Sequence, residues 1–91
     1  MKSDPSLIKE KVRSYIYKAV HAAKDKIKDN SLIFRQGYLD SMSLILMVIF
    51  IEKEFSIITD DEDITEDNFE SINAITDYIT RKLNPEAVEN I

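Results

Sequence analysis

Residues 41–55 read Ser-Met-Ser-Leu-Ile-Leu-Met-Val-Ile-Phe-Ile-Glu-Lys-Glu-Phe, the most apolar run of the chain, and their assignment decides the fold. The β-branched content of Leu44–Ile51 suits a buried strand. Against that, the run passes into Glu52-Lys53-Glu54-Phe55 without a turn signal, and its length from Ser41 is helical. Leu44, Met47, Val48, Ile51 and Phe55 then form one stripe of period 3.6, the expected core face. Met42, Ile45, Leu46, Ile49 and Phe50 are left pointing elsewhere.

Upstream, Asp4 and Pro5 make a good helix start, an N-cap followed by proline at the first helical position. Ile8, Val12, Tyr15, Ile16, Ala19, Ala23 and Ile27 share a stripe at helical spacing, and Lys9, Arg13, Lys18 and Lys24 fall off it. The pattern predicts a long amphipathic helix ending near Lys24 to Lys28, broken by Asp29-Asn30-Ser31. Residues 29–40 hold no period, so Leu32, Ile33, Phe34 and Leu39 are expected to strap a loop onto the core. Gly37 is the chain's sole glycine and supplies a turn with positive φ.

Downstream, residues 59–70 carry seven acids and no base, which reads as a loop with a short helical turn near Asp67 to Glu70. Ser71 is a good N-cap for a last helix in which Ile72, Ile75, Ile79 and Leu83 recur, with Ala74 and Tyr78 beside them. Asn84-Pro85 ends it. The expected architecture is one all-α domain over residues 1–91. It is a small bundle of three main helices plus a short helix before the last, cored over about residues 4–83, with 84–91 a tail.

Composition narrows the function classes. The chain has 91 residues, 44% apolar and 32% charged, a globular balance with room for one core. It contains no cysteine, so disulfides and thiolate metal sites are excluded. Eight consecutive apolar residues fall well short of the ~20 that span a bilayer, and no secretory signal pattern follows Lys2-Ser3-Asp4-Pro5. A soluble, cytoplasmic, monomeric protein is expected. Residues 1–30 carry a net charge of +4 and residues 31–91 a net of −9. The acidic total of −5 argues against nucleic acid as a partner. A basic first helix alone does not make a membrane anchor.

Ser41 stands at the entrance to the apolar run, and three readings compete for it. Asp40 can cap the helix and leave Ser41 an ordinary first-turn residue. A catalytic serine needs a base, and the lone histidine, His21, lies in the first helix with nothing to bring it close. His21 also lacks a second histidine or a cysteine with which to bind metal. The third reading is covalent attachment: a phosphate ester on Ser41 would sit at the positive end of the helix dipole, directed away from Asp40. Asp61, Asp63, Thr65 and Asp67 alternate as calcium ligands do. However, Glu66 stands where an EF-hand loop needs glycine and Ile72 where it needs an acid, so no metal site is assigned.

Gly37-x-Leu39-Asp40-Ser41-Met42 resembles the phosphopantetheine attachment motif of the acyl carrier protein family, in which G-x-x-DS followed by Leu or Met opens the second helix. The likeness runs from about Ile8 to Leu83. It takes in the first helix, the apolar loop, the DS helix ending in Glu52-Lys53-Glu54-Phe55, the acidic segment and the final "SINAITDYI". The resemblance implies a carrier rather than an enzyme. A phosphopantetheinyl transferase, with Mg²⁺ in its own site, would move 4′-phosphopantetheine from coenzyme A onto Ser41. Asp40 would serve as motif residue and helix cap. The arm's thiol would carry an acyl or aminoacyl thioester between a loading ligase or synthase and downstream transferases of lipid or secondary-metabolite biosynthesis. Tethering raises the cargo's effective concentration without tight docking.

One departure from the family stands out. Its members place acids along the exposed side of this helix, and here none occurs before Glu52. Met42, Ile45, Leu46 and Ile49 are therefore expected either to form an apolar docking face or to be buried against the 29–40 loop. They point to a specialised pathway with dedicated partners. The alternative to a carrier is a helical protein-interaction module in which Asp40 and Ser41 only cap a helix.

Overall fold

In the computed structural model, residues 4–20 and 26–84 are described. The first helix, α1 (Pro5–Ala19), begins as its sequence dictates. Asp4 is extended and its carboxylate accepts the Ser6 N–H at 2.9 Å, while Pro5 occupies the first turn. Ile8, Val12 and Ile16 form its buried face.

The helix stops earlier than its periodicity implies. Val20 is extended (φ −93°, ψ 127°), and its N–H closes α1 on the Ile16 carbonyl at 2.9 Å. Ile27 is buried at 2% exposure, yet it is not a continuation of the α1 stripe. Its carbonyl lies 3.5 Å from the Tyr17 hydroxyl, whereas ten residues of straight helix would separate the two by about 15 Å. The chain has folded back. The expected end near Lys24 to Lys28 is thus corrected to Ala19. His21, Ala23 and Lys24 lie outside the described residues.

Residues 26–40 form a strap pinned at several points. The Ile33 carbonyl accepts the N–H groups of Tyr38 and Leu39, at 2.9 and 3.1 Å. The Ile33 N–H reaches across to the Glu70 carbonyl at 2.9 Å. These bonds satisfy a loop backbone that has no ladder of its own, and they drive Ile33 and Leu39 into the core. Gly37, at φ +82°, makes the turn back toward the next helix.

Helix α2 (Ser41–Phe55) is the helix that its length implies, and Leu44, Met47, Val48 and Ile51 are buried along it. Phe55 is half-buried. Tyr15 of α1 stacks on Phe50 of α2 with ring centroids 4.3 Å apart, and Lys11 bridges to Glu54 at 2.7 Å. Ser56 terminates α2 in the left-handed region, at φ 56° and ψ 44°.

The acidic segment is ordered differently from expectation. A 3₁₀ turn spans Asp61–Asp63, while residues 66–69 form a hydrogen-bonded turn with the Phe69 N–H on the Glu66 carbonyl at 3.2 Å. The helical turn expected near Asp67 to Glu70 is therefore not there. Phe69 must enter the core, where it is fully buried, and the next residues are already committed. The Glu70 carbonyl holds Ile33 and Ser71 caps the following helix.

Helix α3 (Ile72–Leu83) starts at that cap, with the Ser71 hydroxyl accepting the Ala74 N–H at 3.1 Å. Ile72, Ile75, Thr76, Tyr78 and Ile79 are buried, and α3 packs directly on α1. Thr76 is tolerated on this face because its hydroxyl donates to the Ile72 carbonyl at 2.8 Å. Asn84 closes α3, and the expected tail from Pro85 onward lies outside the described residues. The architecture is all-α, a small bundle of three helices with a 3₁₀ turn before the last. The described residues include no strand and no helix long and apolar enough to cross a membrane.

Candidate functional site

The turn from Gly37 to Asp40 delivers Ser41 to the first position of α2, where it is exposed. Asp40 is extended (φ −119°, ψ −173°), the geometry of a capping residue. One carboxylate oxygen of Asp40 accepts two hydrogen bonds from the same residue, the Ser43 N–H and the Ser43 hydroxyl, each at 2.9 Å. The backbone bond from Ser43, and then its hydroxyl, hold the Asp40 carboxyl below the usual carboxylate range. The Asp40 carboxylate thus faces Ser43. The Ser41 hydroxyl makes no hydrogen bond with any described residue and stays open to solvent.

Beside the serine lies an open depression of about 550 Å³, floored by Gly37–Asp40 and walled by Ala19, Val20 and Ser43. A side chain at Gly37 would meet no atom there, so the need for glycine comes from its positive φ alone.

The expected docking residues are all exposed. Met42 is 66% exposed, Ile45 47%, Leu46 53% and Ile49 49%. The 29–40 loop leaves them exposed: Ile33 and Leu39 turn into the core, and Phe34 packs half-buried against it. From Ser41 to Ile51 the helix carries no ionisable residue at all. Its first charges are Glu52, whose carboxylate accepts the Thr59 N–H, then Lys53, and Glu54 in its bridge to Lys11.

No protein-family model matches this chain. No curated protein matches its sequence either.

Two acids of residues 59–70 are engaged by α3. Asp63 accepts the Tyr78 hydroxyl at 3.0 Å, and Asp60 lies 3.6 Å from the Lys82 ammonium. Burial, and then the bond to Asp63, push the Tyr78 phenol up to about 12. Among the described residues no three acidic or imidazole side chains converge as metal ligands. His21, the lone candidate base, lies outside the described residues.

Ser43 was not singled out by sequence reasoning, although the signal was present. An acceptor at Asp40 with a serine three residues on is the spacing at which a cap can bind both backbone and side chain. The Tyr15–Phe50 stack carries no comparable sequence signal, since the two belong to different helices.

Proposed function

We propose that this chain is a carrier protein whose Ser41 accepts 4′-phosphopantetheine. The observation that carries the reading is the exposed, unengaged Ser41 hydroxyl at the first position of α2, flanked by the capping Asp40. The fit to the group is good on three counts. The hydroxyl is open to a modifying enzyme, the helix N-terminus favours an attached phosphate, and the Asp40 charge is held toward Ser43 rather than toward the ester.

In this reading the Ser41 oxygen forms a bond to the phosphorus of phosphopantetheine while the bond to the nucleotide half of coenzyme A breaks. The serine proton passes to the transferase. The arm supplies a thiol, which the cysteine-free chain lacks, for acyl or aminoacyl thioesters. The rest is the work of the chain's own residues: α2 presents the serine, Asp40 caps that helix, and the strap with Gly37 sets its entry angle. The protein is a non-catalytic, cytoplasmic shuttle between a loading ligase or synthase and downstream transferases of a specialised biosynthetic pathway.

The test is intact mass after incubation with coenzyme A, Mg²⁺ and a broad-specificity phosphopantetheinyl transferase, for the wild type and Ser41→Ala. The expected result is the gain of one phosphopantetheine by the wild type and none by the variant. An unmodified wild type, with a control carrier modified in the same tube, would turn the reading toward an interaction module capped by Asp40.

A further inference from the structure

Asp40 and Ser41 are neighbours in the chain, yet their side chains are engaged quite differently. The Oδ1 oxygen of Asp40 takes both donors of Ser43, the N–H and the hydroxyl, each at 2.9 Å. Its Oδ2 oxygen has no donor among the described residues. The Ser41 hydroxyl donates to no described residue, Asp40 included. Capping α2 requires only the bond from the Ser43 N–H. The hydroxyl bond is additional to the cap, on a pair of side chains at the protein surface.

What the additional bond controls is direction. A carboxylate held by one backbone donor can still turn about its two side-chain torsions, whereas two donors converging on one oxygen leave it far less freedom. An ionised carboxylate has about four acceptor sites, and the Ser41 hydroxyl one residue away is an unused donor. A carboxylate released from the Ser43 hydroxyl can therefore turn to Ser41.

That turn would oppose the transfer of phosphopantetheine. Asp40 is charged at neutral pH, its carboxyl lowered first by the Ser43 N–H and then by the Ser43 hydroxyl. The group arriving at Ser41 is a phosphate anion. Two unit charges about 4 Å apart repel enough in water to slow a step about fivefold, and more where water is excluded. A carboxylate bonded to Ser41 would bring its charge to the oxygen that must reach phosphorus.

We propose that Ser43 is a positioning residue for the modification of Ser41: its hydroxyl keeps the Asp40 carboxylate on Ser43 and off Ser41, so that the serine meets the incoming phosphate without a negative charge bonded to it. This rests on the carrier reading above and deepens it. A capped helix and a folded bundle need no hydroxyl at this position. Alanine is the better helix former, so Ser43→Ala should leave the melting temperature within a few degrees of the wild type.

Two measurements test the role, one of them without any transferase. In the unmodified protein, three-bond NMR couplings report the Asp40 χ1 torsion. The wild type and Ser43→Thr should show one rotamer, and Ser43→Ala an average over several. With coenzyme A, Mg²⁺ and a broad-specificity phosphopantetheinyl transferase, Ser43→Ala should lose about fivefold or more in kcat, with KM changed less than about twofold. Ser43→Thr, which keeps the hydroxyl, should stay within about twofold of the wild type in both. A single Asp40 rotamer in Ser43→Ala, or a kcat equal to or above the wild type, would overturn the inference and leave the carrier reading standing. A loss confined to KM, or shared equally by Ser43→Thr, would overturn it likewise by making Ser43 a contact of the transferase. No mass gain by the wild type would remove the carrier reading and this role with it, whatever the couplings show.

Discussion

Arg13 and Asp29, sixteen residues apart, meet side-on through two hydrogen bonds, Nε to Oδ1 at 3.1 Å and Nη2 to Oδ2 at 2.9 Å. The Asp29 carbonyl accepts the Asn73 N–H at 3.0 Å, so this one residue ties α1, the strap and the start of α3 together. The paired geometry is the strong form of an ion pair, although both side chains remain about one-third exposed.

Asp29→Asn is therefore expected to lower stability at neutral pH by about 0.5–1 kcal/mol. The Arg13 hydrogen bond, more than its charge at a distance, holds the Asp29 carboxyl below its usual range. A depressed folded-state value means that the contribution is present above the ordinary carboxylate pKa and lost as pH falls through the lowered one. Urea unfolding of wild type and variant should thus differ at pH near 7 and converge in acid. A double-mutant cycle with Arg13→Ala isolates the coupling.

The Asp40 cap predicts a graded pair of variants. Asp40→Ala removes the acceptor for Ser43 and should lower the melting temperature and fray the start of α2. Asp40→Asn keeps an acceptor and should retain most of the cap. It should lose the acid-linked part of stability, which is present above the ordinary carboxylate pKa and disappears as pH falls through the depressed value. Amide exchange at Ser43 and Leu44, followed by NMR across pH, reads both effects.

Ser56 ends α2 at φ 56°, where a side chain is strained and glycine is not. Ser56→Gly should stabilise the fold by about 0.5–1 kcal/mol, a rise of several degrees in melting temperature for a domain of this size. Calorimetry of the two proteins decides it. An unchanged or lower midpoint would show that the hydroxyl contributes more than the strain costs.

Phe69 and Tyr78 pack edge to face at 5.1 Å, with Phe69 fully buried. Phe69→Ala should cost about 3–5 kcal/mol, a large share of the stability of a small domain, and loosen the bundle. The Tyr78 phenol, raised to about 12 mainly by burial, should titrate well above an ordinary phenol in an absorbance experiment. A raised folded-state value gives stability that is full below pH 10 and lost as pH climbs toward 12. Tyr78→Phe should flatten that alkaline limb.

Element type was legible where a local pattern had one physical meaning. Asp4-Pro5, Asp40 and Ser71 are start signals because a short side-chain acceptor meets free N–H groups within its own turn, and each caps a helix in the structure. The core stripes of α2 and α3 were readable because burial repeats every 3.6 residues whatever the helix packs against. The end of α1 was not readable. Ala23 and Ile27 continue the period, and nothing between Val20 and Lys28 signals a stop, yet the fold-back brings Ile27 to Tyr17. The helical turn expected at Asp67 to Glu70 was unreadable for a related reason, since the burial of Phe69 and the Glu70–Ile33 hydrogen bond decide that backbone.

The candidate site divides along the same line. By itself the sequence determined that Ser41 opens an apolar helix behind Asp40 and Gly37, because capping and positive φ are properties of a few adjacent residues. Two further properties belong to the tertiary structure: that Met42, Ile45, Leu46 and Ile49 face solvent, and that the 29–40 strap buries Ile33 and Leu39 in the core. A periodicity states which residues share a face of a helix. Which faces are covered depends on the paths of segments distant in the chain, and those paths are settled only when the whole core packs.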